Sequence, residues 1–257
     1  MIPGTDRDSV GAGLLGALGV GKGDVVSVAG AGGKTTLVYR LAEEARAAGL
    51  RVLVTTTTHM GTLPEATTGP VFIEAEGDPG PALDRALDAN GRATLLGRRI
   101  REDNIEGIPP ERVDELSRRA DVVLVEADGA RQRSLKVPAA HEPVVPRTTT
   151  LLLVLAALDV LGQPLAEEKV HRVELVAAAA GKAPGDRVDE DVVVAVLRQA
   201  GGYLSRVPPG ARAGVFLNKV EDESARGAAE RIAPRLMPPY AVVAAGSARS
   251  GEARVWR

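Results

Sequence analysis

The chain is predicted to fold as an α/β protein, a mostly parallel sheet flanked by helices. Short runs rich in Val and Leu alternate with helix-periodic segments along its 257 residues. The first such run breaks into the glycine-rich turn Gly30-Ala31-Gly32-Gly33, and an amphipathic segment opens at once from Lys34. Hydrophobic residues make up 44% of the chain and aromatics only 2%, so its core must be aliphatic.

In order, Val10–Leu18 reads as a short helix and Asp24–Ala29 as the first strand. Lys34–Ala48 is a helix with apolar Leu37, Val38, Leu41 and Ala45 on one face, ended by Gly49. Arg51–Thr57, rich in β-branched residues, is the second strand, and strand, crossover helix and strand make a right-handed parallel unit. Pro70–Ala75 is a short strand and Pro81–Leu87 a helix, while the polar segment Arg92–Pro110 is expected to be irregular. Pro110–Arg119 reads as a helix, and Asp121–Glu126 and Thr149–Ala156 as buried strands. Helices follow at Val170–Ala180 and Asp189–Gln199, then a strand at Ala213–Leu217. Ser224–Ala233 is a helix stopped by Pro234, and Ala241–Ala245 is the last strand. We expect one domain over residues 1–257, with a possible insertion at about 60–120.

The glycine turn carries the first chemical signal. Glycines let backbone N–H groups face inward around phosphate oxygens, and the following helix aims its positive end at the same anion. Gly30, Ala31, Gly32, Gly33, Lys34, Thr35 and Thr36 are therefore expected to hold the phosphates of ATP or GTP, with the Thr35 hydroxyl on Mg²⁺. Val28 stands where the longer form of this loop has its first glycine, leaving a shortened G-x-x-G-K-T-T like that of Mur ligases and ParA/MinD ATPases. Ala29 stands where the latter carry a signature lysine.

The second signal is Val122-Val123-Leu124-Val125-Glu126-Ala127-Asp128-Gly129, an apolar strand delivering acids to the sheet edge. Glu126 and Asp128 are expected to share the magnesium, one through water, and with Lys34 to form the catalytic set. The third is Asn218-Lys219-Val220-Glu221, similar to the N-K-x-D element that holds guanine, with Glu in place of Asp. Ser247, in Gly246-Ser247-Ala248-Arg249, is placed to meet the base beside Asn218, Lys219 and Glu221. The Thr55–Thr58 run ends a strand at the ligand edge, where hydroxyls can meet magnesium, phosphate or water, or simply cap a turn. Arg131, Arg133 and Lys136 lie on a loop expected to be basic, able to hold phosphate or an acidic partner or to stay solvated.

Composition excludes several classes. With no cysteine there is no disulfide, thiolate metal site, cysteine nucleophile or persulfide carrier. The three histidines have no metal-ligand spacing, and a net charge of -2 argues against nucleic acid as the main partner. The longest apolar run, Leu151–Leu158, is too short to span a bilayer, and no signal peptide is visible, so a cytoplasmic protein is expected.

Taken together, the segments Val28–Thr36, Leu53–Met60, Val125–Ala130, Ser134–Pro146, Lys169–Arg172 and Leu217–Val220 resemble the YqeC-like family, across about Val25–Val220. The resemblance implies a P-loop NTPase-like fold and a role as an accessory protein of selenium-dependent molybdenum hydroxylases, with that enzyme or its maturation machinery as client. The E-x-x-G form of the acidic motif is also similar, at the level of fold and motif style, to metallochaperone GTPases. Two other readings follow from the residues. One is an ATP-dependent kinase or ligase whose acidic acceptor meets Arg131, Arg133 and Lys136, and the other is a non-catalytic nucleotide-binding module.

Overall fold

The computed structural model describes residues 13–61, 65–101 and 104–257. Its elements, in chain order, begin with α1 (Leu14–Ala17), β1 (Asp24–Gly30), α2 (Lys34–Ala47), β2 (Val52–Thr56), β3 (His59–Gly61), α3 (Glu65–Thr68) and β4 (Val71–Ile73). Next come α4 (Gly80–Asn90), β5 (Arg92–Leu96), β6 (Arg98–Arg101), β7 (Asn104–Glu106), α5 (Pro110–Leu116), β8 (Val122–Glu126), β9 (Leu135–Lys136), β10 (Leu151–Ala157) and β11 (Val170–His171). The chain closes with α6 (Val173–Ala180), α7 (Glu190–Arg198), β12 (Arg212–Asn218), α8 (Glu223–Leu236), β13 (Val242–Ser247) and β14 (Glu252–Trp256).

Nine strands form one sheet in the order β14-β13-β12-β10-β1-β8-β2-β5-β4. All of its pairings are parallel except the antiparallel β13–β14 edge. The period-2 geometry of β10 shows why the sheet needs helices on both sides. Leu151, Leu153 and Leu155 pack with Leu37, Val38 and Leu41 of α2, whereas Leu152, Val154 and Ala156 pack with Val192, Val193 and Val196 of α7. On the β2 side, Leu53, Val123 and Val125 meet Leu83 and Leu87 of α4 and Val113 of α5. The α/β class follows from this layering.

Several local expectations are corrected. Arg92–Pro110 is not irregular: Arg92–Leu96 joins the main sheet as β5, and β6 and β7 form a small antiparallel sheet with β3. Arginines mask its strand pattern, since long-range pairing and not local propensity decides it. Ala241–Ala245 is followed by one more strand, β14, whose alternating Glu252-Ala253-Arg254-Val255-Trp256 suits a half-exposed edge. Val170–Ala180 divides at Arg172 (φ 63°): Val170 and His171 pair in parallel with Leu135 and Lys136, and the helix starts only at Val173. Helix α8 runs through Pro234 to Leu236. Of the first expected helix, Leu14–Ala17 is helical and residues 10–12 lie outside the described residues.

Candidate functional site

The glycine turn joins β1 to α2 at the carboxyl edge of the sheet. Gly30, Gly32 and Gly33 have φ of 95°, 94° and 114°, a region other residues rarely enter. A Cβ on Gly30 would lie 2.2 Å from the Leu155 carbonyl oxygen, and one on Gly32 2.3 Å from the Ala157 Cβ. The turn is thus pressed against the end of β10, where the Ala31 amide donates to Leu155 O at 3.0 Å. Gly33, the residue before α2, has no side chain to cap the helix, so the helix start keeps its amides for another acceptor.

Lys34 is buried and folds back over the turn, Nζ donating to Gly30 O at 2.8 Å. The same ammonium lies 3.3 Å from Asp128 Oδ1 and 3.9 Å from Glu126 Oε1. The Thr35 hydroxyl donates to Glu126 Oε2 at 2.8 Å, while Thr36 is exposed. Burial pushes the Glu126 carboxyl above the usual range, against the opposing pull of Lys34 and Thr35. Asp128 is fully buried; its Oδ2 accepts from the Gly30 amide at 3.0 Å, tying the acidic motif to the glycine turn. Its Oδ1 has Lys34 nearby but no hydrogen bond of acceptable geometry.

Behind Asp128 lies an ionic chain that is not apparent in the sequence. Lys136 is buried, Nζ contacting Asp128 Oδ2 at 2.8 Å, Gly129 O at 2.6 Å and Glu142 Oε2 at 2.8 Å. It is therefore no member of a solvated basic loop and has no free donor for an acidic substrate. Arg172 donates to the same Glu142 oxygen at 2.7 Å. Burial raises the Glu142 carboxyl, but the Arg172 and Lys136 hydrogen bonds outweigh it and hold the group at about 2. The Tyr203 hydroxyl, fully buried and pushed well up by desolvation, donates to Lys136 O at 3.1 Å. The one sequence signal was Lys136 lying between apolar Leu135 and Val137, both buried.

Asn218 is also buried and faces the glycine turn: Nδ2 donates to Gly32 O at 2.7 Å and Oδ1 accepts from the Ala248 amide at 2.9 Å. It therefore staples the turn to the segment after β13. Lys219 (φ 59°) turns its ammonium to Asp159 at 2.9 Å. Glu221 and Ser247 line one cavity of about 1040 Å³ with Arg226, Arg249 and Trp256. Glu221 has no ion pair among the described residues, so its carboxylate is open to a donor. The threonine run serves mostly to tie strands: Thr55 donates to Leu95 O, Thr56 to Glu126 O and Thr57 to Val144 O. Among the described residues no group of three or more His, Asp or Glu could hold a metal by itself, and no helix is long and apolar enough to cross a membrane.

Comparison with known proteins adds the following. The family described as "YqeC protein" matches residues 26–174. A protein of Escherichia coli (strain K12), named "Uncharacterized protein YqeC", is 35% identical over 213 residues, 82% of each chain. Among solved structures, chloroplast FtsY from Physcomitrella patens is similar at 15% identity and a TM-score of 0.45, covering 91% of this chain, which spans 62% of that one. The hydrogenase maturation factor HypB from Archaeoglobus fulgidus is similar at 14% identity and a TM-score of 0.41, covering 89% of this chain and 83% of its own. A family match over more than half the sequence, reaching from β1 through the glycine turn and both acids to Arg172, and a relative of this identity together show that the chain belongs to the YqeC family.

Proposed function

We propose that the chain is a Mg²⁺-dependent nucleoside-triphosphate-binding protein, an NTPase serving as an accessory factor in the maturation of a selenium-dependent molybdenum hydroxylase. The observation that carries the nucleotide reading is the turn itself. Three glycines of one motif at positive φ, each with a Cβ position 2.6 Å or less from a neighbouring atom, give a backbone cradle at an uncapped helix start, with Lys34 folded into it. In this reading the amides from Gly32 to Thr36 hold the phosphates, since those of Gly30 and Ala31 already donate to Asp128 and Leu155, and Lys34 leaves Gly30 O and Asp128 to meet the outer ones. Asp128 stays compensated when that happens, because Lys136 and the Gly30 amide remain on its other oxygen.

Thr35, Glu126 and Asp128 fit a magnesium ion. All are hard oxygen donors at one edge of the cradle, and Asp128 Oδ1 is a buried carboxylate oxygen lacking a hydrogen bond. Bound there, Mg²⁺ would neutralise charge on the phosphates. Glu126 and Asp128, at the edge of the cradle beside Thr35 and Lys34, would also order the attacking water. The base is assigned to the cavity lined by Glu221 and Ser247, whose open carboxylate accepts N–H groups as guanine offers; Asn218 acts by bracing the glycine turn. The accessory role rests on the family alone. We read residues 1–257 as one working unit, in which the small sheet of β3, β6 and β7 and the β9–β11 pair stand apart from the main sheet among the described residues.

Calorimetry with Mg·GTP and Mg·ATP tests the reading. Binding lost in Lys34→Ala, and a preference for GTP lost in Glu221→Ala, are expected. Unchanged triphosphate affinity in Lys34→Ala would overturn the phosphate site, and preference for ATP would remove the guanine assignment.

A further inference from the structure

The glycine turn is flanked on both sides along the sheet edge. The cavity with Glu221 and Ser247 lies toward β12 and β13, whereas a second cleft of about 650 Å³ opens beyond β8, where β2 and β5 end. Its walls come from the end of β2, from β6 and β7 of the small sheet and from the loop bearing His141.

The floor of this cleft is built by close backbone approach. A Cβ on Gly107 would lie 2.2 Å from Thr56 O, and one on Gly97 2.3 Å from Gly107 O. Gly107 N donates to Thr58 O at 2.6 Å, Ile108 N to Thr56 O at 2.9 Å and Gly97 N to Glu106 O at 2.9 Å. The small sheet is thereby clamped to the end of β2, and the cleft between them has a fixed shape.

Its charges are already spent. Arg98 pairs with Glu106 at 2.9 Å, and Glu74 with Arg112 at 2.5 Å. What remains uncommitted is the Thr58 hydroxyl and the imidazoles of His59 and His141, which have no hydrogen-bond partner among the described residues. Two of the chain's three histidines, 82 positions apart in sequence, thus face one cleft, and among the described residues their ring nitrogens have no partner. Imidazoles and a hydroxyl can each donate or accept, which suits groups that do both, such as alcohols. Among the described residues no Lys or Arg lining the cleft is left unpaired to hold a phosphate. The volume falls within the range of about 300–1,000 Å³ for small-molecule sites.

We propose that this cleft is a second ligand site, taking a small hydroxylated molecule without a phosphate group, held by Thr58, His59 and His141. Its position on the far side of β8 from the base cavity sets that molecule at the opposite end of the glycine turn. The wall also communicates with the turn: His141 adjoins Glu142, which Lys136 links to Asp128 and so to the Gly30 amide.

The full chain, labelled with ¹⁵N-histidine, tests this. Its three imidazoles are assigned with His59→Ala and His141→Ala, and the probes are D-ribose, D-glucose and cytidine beside ribose 5-phosphate, glucose 6-phosphate and cytidine 5′-monophosphate. Saturable shifts of both His59 and His141, with His171 unmoved, are expected for at least one neutral probe, in the millimolar range or tighter and at least about tenfold tighter than for its phosphate ester. Thr58→Val should weaken that binding severalfold while leaving the melting temperature unchanged. No saturable shift from any neutral probe, or a phosphate ester binding as well as its parent, would overturn the proposal. Triphosphate titration of the same preparations reads the nucleotide site separately, so either reading can fail while the other stands.

Discussion

Glu142 offers the most quantitative test of the buried ionic chain. Its carboxylate meets Lys136 at 2.8 Å and Arg172 at 2.7 Å, and also accepts from the Ala139 amide at 3.2 Å. Burial opposes its charge, yet these partners lower it from 4.5 to about 2. A carboxyl held lower in the folded state stabilises the fold above its unfolded value, and that contribution is lost as pH falls from about 4.5 toward 2. A difference of roughly 2.5 pH units at ~1.4 kcal/mol each gives about 3 kcal/mol at neutral pH, as an upper figure. Glu142→Gln mimics the protonated group in shape, so it should cost about 3 kcal/mol at pH 7 and about 1 kcal/mol at pH 3 by urea denaturation. A cost independent of pH, or below about 1 kcal/mol at pH 7, would refute the argument, since then Lys136 and Arg172 would not be favouring the charged form.

The remaining predictions concern the glycine turn and its brace. Gly30→Ala forces a Cβ onto Leu155 O at a φ of 95°, and should cost at least about 2 kcal/mol and abolish triphosphate binding. Gly49→Ala, at a φ of 80° with open space around it, is the control and should cost only about 1 kcal/mol. Equal losses in denaturant melts would contradict the close-packing account. Asn218→Ala leaves Gly32 O and the Ala248 amide without their partners; a loss of about 2–3 kcal/mol with weakened affinity for GTP and ATP alike is expected. If calorimetry shows that only one of the two nucleotides is affected, Asn218 reads the base directly.

The parallel sheet and the glycine turn were legible because they are written locally. Val25 to Ala29 and Val122 to Val125 are apolar runs of strand length, and Gly30, Gly32 and Gly33 precede a helix-periodic segment. The two acids were legible too, since a strand of known direction delivers them to the edge where the turn lies. β5, β6 and β14 were not, because polar and arginine-rich edge strands are defined by their partners, and those partners are distant in sequence.

By itself, then, the sequence determined the fold class, the glycine turn and its neighbouring acids, since each rests on periodicity or on glycine's backbone freedom. Only the tertiary structure decided what the charged residues do. Lys136 read as a basic loop residue and is a buried counter-ion to Asp128 and Glu142, and Asn218 ties Gly32 to Ala248, a bond that sequence position does not show. His59 and His141, which have no metal-ligand spacing in the sequence, line one cleft. The physical reason is the same in each case: a side chain's charge and hydrogen bonds are settled by whichever groups packing brings within about 3 Å, and sequence distance does not encode that.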